Sequence, residues 1–377
     1  MTISRNKDVI TNADDLEHLF TFEQFPVFMG CTEAPPDTDL KNRMSFWISK
    51  TSGMIQLNPL LSLDVLYPES RGAGLVGSSW ENHHKEFSKF IATFDPKSVL
   101  EIGGGHGVLA TTYQAITKIP WTIVEPNPTL VAGCEAKIIR RFFEMDFQIE
   151  NPPKTIVHSH LFEHIYDPSR FIQTISAFLP LGGMLIFSVP NMKVMLERRY
   201  TNTMNFEHTI YLSEDYIDYL LNQHGFAISQ KVKYLDDHSL FYAARRSNER
   251  LAVELPKHLY RTNRRLYTEY IQHHRLMIHD FNVRIMQHPN NDIFLFGAHV
   301  QSQYLMAFGL HTARVRAILD NDPNKRGKRL YGTDKFVVNP IALREFELPL
   351  VVLRAGTFTR EIIEQIASIN PFTKIVT

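Results

Sequence analysis

The chain has 377 residues, more than one compact domain usually holds, and balances 40 Lys and Arg against 40 Asp and Glu. Two or three domains are expected, and no global field exists to draw nucleic acid, an anionic membrane or an acidic tail. The polar start, with Asp14, Asp15 and Glu17, lacks the form of a secretory leader, no apolar run approaches spanning length, and Cys31 and Cys134 allow neither a disulfide framework nor a C-x-x-C pair, so a soluble cytoplasmic protein is expected.

Residues 1–80 read as irregular, a small loop-rich N-terminal lobe with a turn at Pro35 and Pro36 and short apolar runs at Phe46, Trp47 and 54–57. From 81 to 245, alternating strand and helix patterns predict a doubly wound α/β sheet whose strands end in ligand-reaching loops. The most informative stretch lies there, Ser98 to Gly107, S-V-L-E-I-G-G-G-H-G. Val99, Leu100 and Ile102 suit a buried parallel strand, while Gly103, Gly105 and Gly107 let the backbone turn sharply and approach a ligand without Cβ clashes. Glu101 is expected at the strand's end, facing that ligand. The spacing E-x-G-x-G-x-G is not the dinucleotide fingerprint G-x-G-x-x-G, and no Lys-Ser/Thr follows as in a phosphate loop. NAD and ATP are disfavoured, and a methyl-donor site is favoured. Eighteen residues beyond Gly107, W-T-I-V-E ends a second strand on Glu125, where a ribose diol needs a bidentate acceptor. Either feature alone is equally a tight loop or a solvated strand end; in register they point to one site.

These two motifs resemble class I S-adenosylmethionine-dependent methyltransferases, which carry such a glycine-rich turn and an acid ending the second strand. The resemblance implies S-adenosyl-L-methionine as cofactor and a Rossmann-like fold. It makes residues 155–168, T-I-V-H-S-H-L-F-E-H-I-Y-D-P, the fourth strand and its loop, and 182–190 the fifth. His160 and Leu161 then line the methionine end of the donor. Asp146 accepts from the adenine amino group or is a surface acid.

Just after the fifth strand, N-F-E-H-T-I-Y from Asn205 to Tyr211 places a carboxylate beside an imidazole. Histidine titrates nearest neutral pH, so His208 can remove a proton while Glu207 or Tyr211 orients the substrate. The alternative is a helix-start histidine packed beside Tyr211. Residues 246–290 read as a helical connector, with Leu251, Leu259, Leu266, Tyr270, Leu276 and Phe281 at roughly helical spacing, in preference to a nucleic-acid surface built on Arg261, Arg264 and Arg265. Residues 291–377 restart the strand-and-glycine pattern at 292–298, with further strands at 315–320 and 348–356, and form a second Rossmann-like α/β domain on the acceptor side.

Taken in order, the motifs resemble the sugar-nucleotide C-methyltransferases that act on 4-keto-6-deoxy sugars, proteins with an N-terminal zinc lobe, a central methyltransferase domain and a C-terminal Rossmann-like domain. The matching runs are G-M-I-Q-L at 53–57, W-E-N-H-H at 80–84, L-F-E-H-I at 161–165, E-H-T-I-Y at 207–211, F-G-A at 296–298 and D-N-D-P-N-K-R-G at 320–327. The resemblance implies His208 as general base, Glu207 and Tyr211 beside it, and Tyr67 as the tyrosine at the end of the lobe. It implies a nucleotide-linked keto sugar as the small-molecule acceptor in a biosynthetic reaction, with no nucleic acid or membrane partner. One departure is large: residues 1–80 hold Cys31 alone and His18 as the sole histidine, whereas a structural zinc needs four ligands. The lobe is expected to lack its zinc and to rest on packing, and no metal ligands are expected. The alternatives are an O- or N-methyltransferase of another small molecule, and a non-catalytic donor-binding protein.

Overall fold

Val99, Leu100, Glu101 and Ile102 are all buried, as expected of a strand with neighbours on both sides and helices on both faces. The computed structural model describes residues 2–67, 78–248 and 253–377. It divides into two units. The first holds Met1–His18, Trp47–Arg198 and Thr203–Arg264; the second holds Leu19–Phe46, Arg199–Asn202 and Arg265–Thr377.

The first unit is built on seven strands: β1 (Val99–Ile102), β2 (Trp121–Val124), β3 (Lys137–Ile139), β4 (Thr155–Ser159), β5 (Met184–Pro190), β6 (Phe226–Tyr234) and β7 (Ser239–Arg246). Their spatial order is β6-β7-β5-β4-β1-β2-β3. All neighbours are parallel except β7, which runs antiparallel to β5 and β6. The order reverses between β1 and β4, and the carboxyl ends of strands at such a reversal are where open α/β sheets bind ligands. Helix α1 (Ser78–Ala92) sends Phe87, Phe90 and Ile91 onto Val99, Ile123, Val157, Ile186 and Phe241 of the sheet. Helix α2 (Val108–Gln114) adds Leu109, Ala110 and Tyr113 to that cluster. Further along, α3 (Pro168–Phe178) is capped by Asp167, whose carboxylate accepts from the Arg170 amide, and α4 (Glu214–Gln223) precedes β6.

Helix α5 (Leu259–Gln287) is a single 29-residue helix, and the boundary between the units falls inside it, between Arg264 and Arg265. Tyr267, Tyr270, Ile271, His274, Ile278, Phe281 and Ile285 form its buried stripe, while Leu276, which the periodicity assigns to that stripe, is 63% exposed. The aromatic and histidine positions carry the face that leucine spacing alone misplaces. Leu251 of the expected connector lies outside the described residues. The second unit carries a five-stranded parallel sheet, β8 (Ile293–Phe296), β9 (Val315–Leu319), β10 (Val337–Val338), β11 (Leu350–Leu353) and β12 (Lys374–Val376), in the order β10-β9-β8-β11-β12. Its alternating residues split between two clusters, Ile293 and Leu295 facing Ile278, Phe281 and Ile285, and Phe294 and Phe296 facing Ile362 and Ile366.

The boundaries 1–80, 81–245, 246–290 and 291–377 are therefore redrawn. The first 80 residues are not one irregular lobe: they contain the strands Leu16–Pro26 and Lys41–Ser49 and divide between the units at residues 18 and 47. Alternation along Met44, Phe46 and Ile48, each at most 1% exposed, is the period-2 signal of that second strand. In the second unit, Arg329 donates to both carboxylate oxygens of Asp39, and Arg329–Leu330 pairs with Cys31–Thr32. This ion pair and this strand pairing hold Cys31–Thr32 and Asp39 within the second unit. Among the described residues no helix is long and apolar enough to cross a membrane.

Candidate active site

The glycine turn begins at the carboxyl end of β1, beside the strand-order reversal. Gly103 and Gly107 adopt left-handed backbone conformations, φ 72° and 69°, which glycine alone takes without cost. A Cβ at Gly103 would come within 2.9 Å of Leu161 Cδ1, and one at Gly104 within 2.7 Å of Glu101 Cδ. The turn thus carries no side chain at these positions, and Leu161 and Glu101 press directly on its backbone. Glu125 directly follows β2, the parallel neighbour of β1. It is partly exposed, and its Oε1 accepts from the Asn127 amide at 3.1 Å. Bare turn, apolar side chain and strand-end carboxylate are the set that a nucleoside-linked sulfonium donor requires, so the residues present fit S-adenosylmethionine.

Other residues assigned to the donor from sequence are differently engaged. Glu101 is 3% exposed, and its Oε2 accepts from Trp121 Nε1 at 2.7 Å. Burial pushes its carboxyl up to about 7, against the bond from Trp121. Asp146 is exposed and ion-paired with Arg141 at 2.8 Å. His160 has a left-handed backbone, φ 47°, its amide donates to the Ser188 carbonyl, and its Nε2 bonds the Ser239 hydroxyl at 2.8 Å. Its ring is enclosed by Trp80, His83 and His238, with centroids 4.8, 5.1 and 6.0 Å away.

The catalytic candidates meet across the loop that follows β4. Tyr67 OH lies 3.0 Å from His164 Nδ1, and the His164 and His208 rings pack edge to face with centroids 4.9 Å apart. Between them and His160 is Glu163, fully buried, with Oε1 3.3 Å from His160 Nδ1 and 3.9 Å from His164 Nε2. Neither Glu163 oxygen receives a hydrogen bond. Burial raises the Glu163 carboxyl and drives His164 down to about 4, so His164 is neutral at physiological pH. Asn205 builds the turn that presents His208: its Oδ1 accepts from the amides of Glu207 at 2.8 Å and His208 at 3.0 Å. His208 Nδ1 lies 3.3 Å from the Thr203 carbonyl. A carbonyl only accepts, so Nδ1 is the donor in this bond, and Nε2 is the nitrogen that remains to act as base.

Tyr211 is not brought to this cluster by any described contact. It is 1% exposed, its amide donates to the Ile55 carbonyl, and burial raises its phenol far above the usual range. Sequence reasoning missed Glu163 and His164, although both stand in a quoted run, and it missed Arg5. The half-buried Arg5 guanidinium donates to the carbonyls of Leu57, Tyr166 and Thr209, tying Thr209, the neighbour of His208, to the loop after β4. Burial lowers Arg5 to about 9, which leaves it charged near neutrality.

Residues 79–231 match the family described as Methyltransferase domain. No curated protein matches the chain. Among solved structures, it is similar to the N-methyltransferase NodS from Bradyrhizobium japonicum WM9 in complex with S-adenosyl-L-homocysteine, at 14% identity over 49% of this chain and 98% of that one, with a TM-score of 0.38. It is also similar to the Burkholderia thailandensis 1,6-didemethyltoxoflavin-N1-methyltransferase with bound 1,6-didemethyltoxoflavin and S-adenosylhomocysteine, at 17% identity over 45% and 82% of the two chains, with a TM-score of 0.36. The family match spans the glycine turn, Glu125, the loop after β4 and His208, and this stretch, less than half of the chain, matches a methyltransferase domain, with S-adenosylmethionine as the methyl donor.

Proposed function

We propose that this methyltransferase alkylates a carbon beside a ketone in a small-molecule acceptor, a nucleotide-linked keto sugar or a related metabolite, with His208 as general base. The observation that carries the reading is the pinning of His208 Nδ1 at the Thr203 carbonyl, with the ring packed on His164 beside Tyr67. That arrangement leaves Nε2 as the nitrogen placed to act as base in a half-buried cluster.

The donor, when bound, supplies an electrophilic methyl group on a sulfonium. The bare glycine turn and Leu161 hold its methionine end together with the His160 backbone. Glu125 accepts from the ribose hydroxyls, and Asp146, released from Arg141, reaches the adenine amino group. On the acceptor side, His208 Nε2 takes the proton from the carbon next to the ketone. Tyr67 donates to the developing enolate oxygen, and Glu207 orients the acceptor, a preorganised arrangement that strengthens as charge builds on oxygen. The remaining contribution is proximity of the nucleophilic carbon to the methyl group. Tyr211 supports the loop from the core.

The test pairs calorimetry with turnover on His208→Ala. Turnover is expected to fall by roughly 10²- to 10⁴-fold, the usual worth of a general base, with donor affinity unchanged. A loss smaller than about tenfold would assign an acceptor whose heteroatom is already nucleophilic, and unchanged turnover would remove His208 from the chemistry.

A further inference from the structure

Glu163 poses a problem that the methyl-transfer reading does not solve. Its carboxyl group is 0% exposed and receives no hydrogen bond at either oxygen. A polar group so placed costs several kcal/mol unless something compensates it. Three imidazoles surround it: His160 Nδ1 lies 3.3 Å and His164 Nε2 3.9 Å from Oε1, and the His208 ring packs on His164. One donor atom each of Glu163, His164 and His208 lie within 4.8 Å of one another.

The ring orientations follow from the outer contacts. His208 Nδ1 donates to the Thr203 carbonyl, and His164 Nδ1 shares a hydrogen bond with the Tyr67 hydroxyl at 3.0 Å that a proton on either atom can make. With Nδ1 engaged in each ring, Nε2 is the nitrogen left to ligate, and the His164 Nε2 lies 3.9 Å from Glu163 Oε1. Ligating histidines are oriented in this way, with the far nitrogen bonded to a carbonyl or hydroxyl that fixes ring and tautomer. Two imidazoles and one carboxylate form the donor set of His₂Glu zinc sites and of facial-triad iron sites. Metal–ligand bonds of about 2.0–2.2 Å would draw the three donors together by a shift small enough for side-chain rotation.

We propose that Glu163, His164 and His208 form a binding site for a divalent transition-metal ion of the zinc class, and that occupancy switches the methyl transfer off. The bound ion neutralises the buried carboxylate and takes the His208 Nε2 lone pair. The base and the metal thus compete for one nitrogen. The binding claim stands on the geometry alone, whereas the inhibition rests on the reading of His208 as base. A second group, His83, His160 and His238, also lies within reach of a common ion. There His83 Nε2, His160 Nε2 and His238 Nδ1 are each engaged by a serine hydroxyl, at 3.1, 2.8 and 2.7 Å. His160 of that group also faces Glu163 at 3.3 Å, whereas His238 is held by Ser239, so His238 serves as the internal control.

The experiment uses tag-free, chelator-stripped full-length protein titrated with Co²⁺ by visible absorption and with Zn²⁺ by calorimetry. One equivalent is expected to bind, with the intense visible bands of a four- or five-coordinate site. Affinity should fall at least tenfold in Glu163→Gln and in His208→Ala and stay within threefold in His238→Ala. Circular dichroism confirms folding, and Glu163→Gln is isosteric. No uptake, uptake that survives both Glu163→Gln and His208→Ala, or uptake lost in His238→Ala alone would each overturn the site. Stoichiometric Zn²⁺ that binds as described without slowing methyl transfer would leave the site standing and overturn the switch together with the role of His208 as base.

Discussion

Both units build the same local pattern, a parallel strand, a glycine turn and a second strand ending in an acid, yet they spend the acid differently. In the second unit Asp320 follows β9, is 8% exposed, and is consumed by its own loop. It accepts from the Ala298 amide at 2.8 Å and the Asp322 amide at 2.9 Å, and it pairs with Lys325 at 3.0 Å. In the first unit Glu125 is partly exposed, with one oxygen on its own turn. The pattern therefore identifies a Rossmann-like turn, and only the partners of the acid tell a structural staple from a ligand site.

The turns themselves should give the largest contrast. A β-branched side chain at Gly103 meets both a left-handed backbone and Leu161 at 2.9 Å. Gly103→Val should therefore weaken S-adenosylmethionine binding by at least about a hundredfold, roughly 3 kcal/mol. Gly297, at φ 101°, has nothing within 4 Å of a built Cβ. Gly297→Ala should cost about 1–3 kcal/mol of stability through backbone strain and leave donor affinity alone. Calorimetry and denaturant melts read both quantities, and a donor defect in Gly297→Ala would mean that the second unit takes part in donor binding.

The acids sharpen the same contrast at smaller scale. On the proposed placement of the ribose at Glu125, Glu125→Ala removes charged hydrogen bonds to it, and donor affinity should drop about 10- to 100-fold, the usual worth of such bonds. Asp320→Ala strands the Ala298 amide and Lys325 and should cost about 1–3 kcal/mol of stability, with donor affinity unchanged. The opposite assignment of the two phenotypes would exchange the roles of the two turns.

The sequence was legible where chemistry lies within one strand and its turn. The run 98–107 and Glu125 give β1, β2 and their glycine turn directly, because a buried parallel strand is a continuous apolar run and a turn without Cβ atoms must be glycine. The meeting of Tyr67 with His164 was not legible, since 97 positions separate them and only the path of the chain from the end of Leu63–Leu66 to the loop after β4 joins them. Glu163 and His164 sat in view without a role, because a carboxylate in an F-E-H run looks the same buried or solvated. The strand Lys41–Ser49 was hidden for another reason: Ser45 lies between Met44 and Phe46 and is itself 2% exposed, which blurs the apolar-polar alternation.

Glu101 offers the finest test, because its sequence position says ligand and its contacts say core. Its carboxyl is raised from 4.5 to about 7 by burial. Below pH 4.5 the group is protonated in both folded and unfolded chains and imposes no penalty. Between pH 4.5 and about 7 the unfolded chain ionises while the folded one does not, so stability falls as pH rises and levels off above the folded value. The total is on the order of 3 kcal/mol. Glu101→Gln keeps an oxygen for Trp121 Nε1 and removes the proton linkage. The variant should therefore gain stability relative to the parent as pH rises from 4.5 to 8, whatever its offset at acid pH, as denaturant melts at the two pH values would measure. Its donor affinity should stay within threefold. Parallel stability curves across pH would show that the carboxyl is not held protonated, and a donor affinity lost with the charge would return Glu101 to the ligand and make the two turns differ in two acids instead of one.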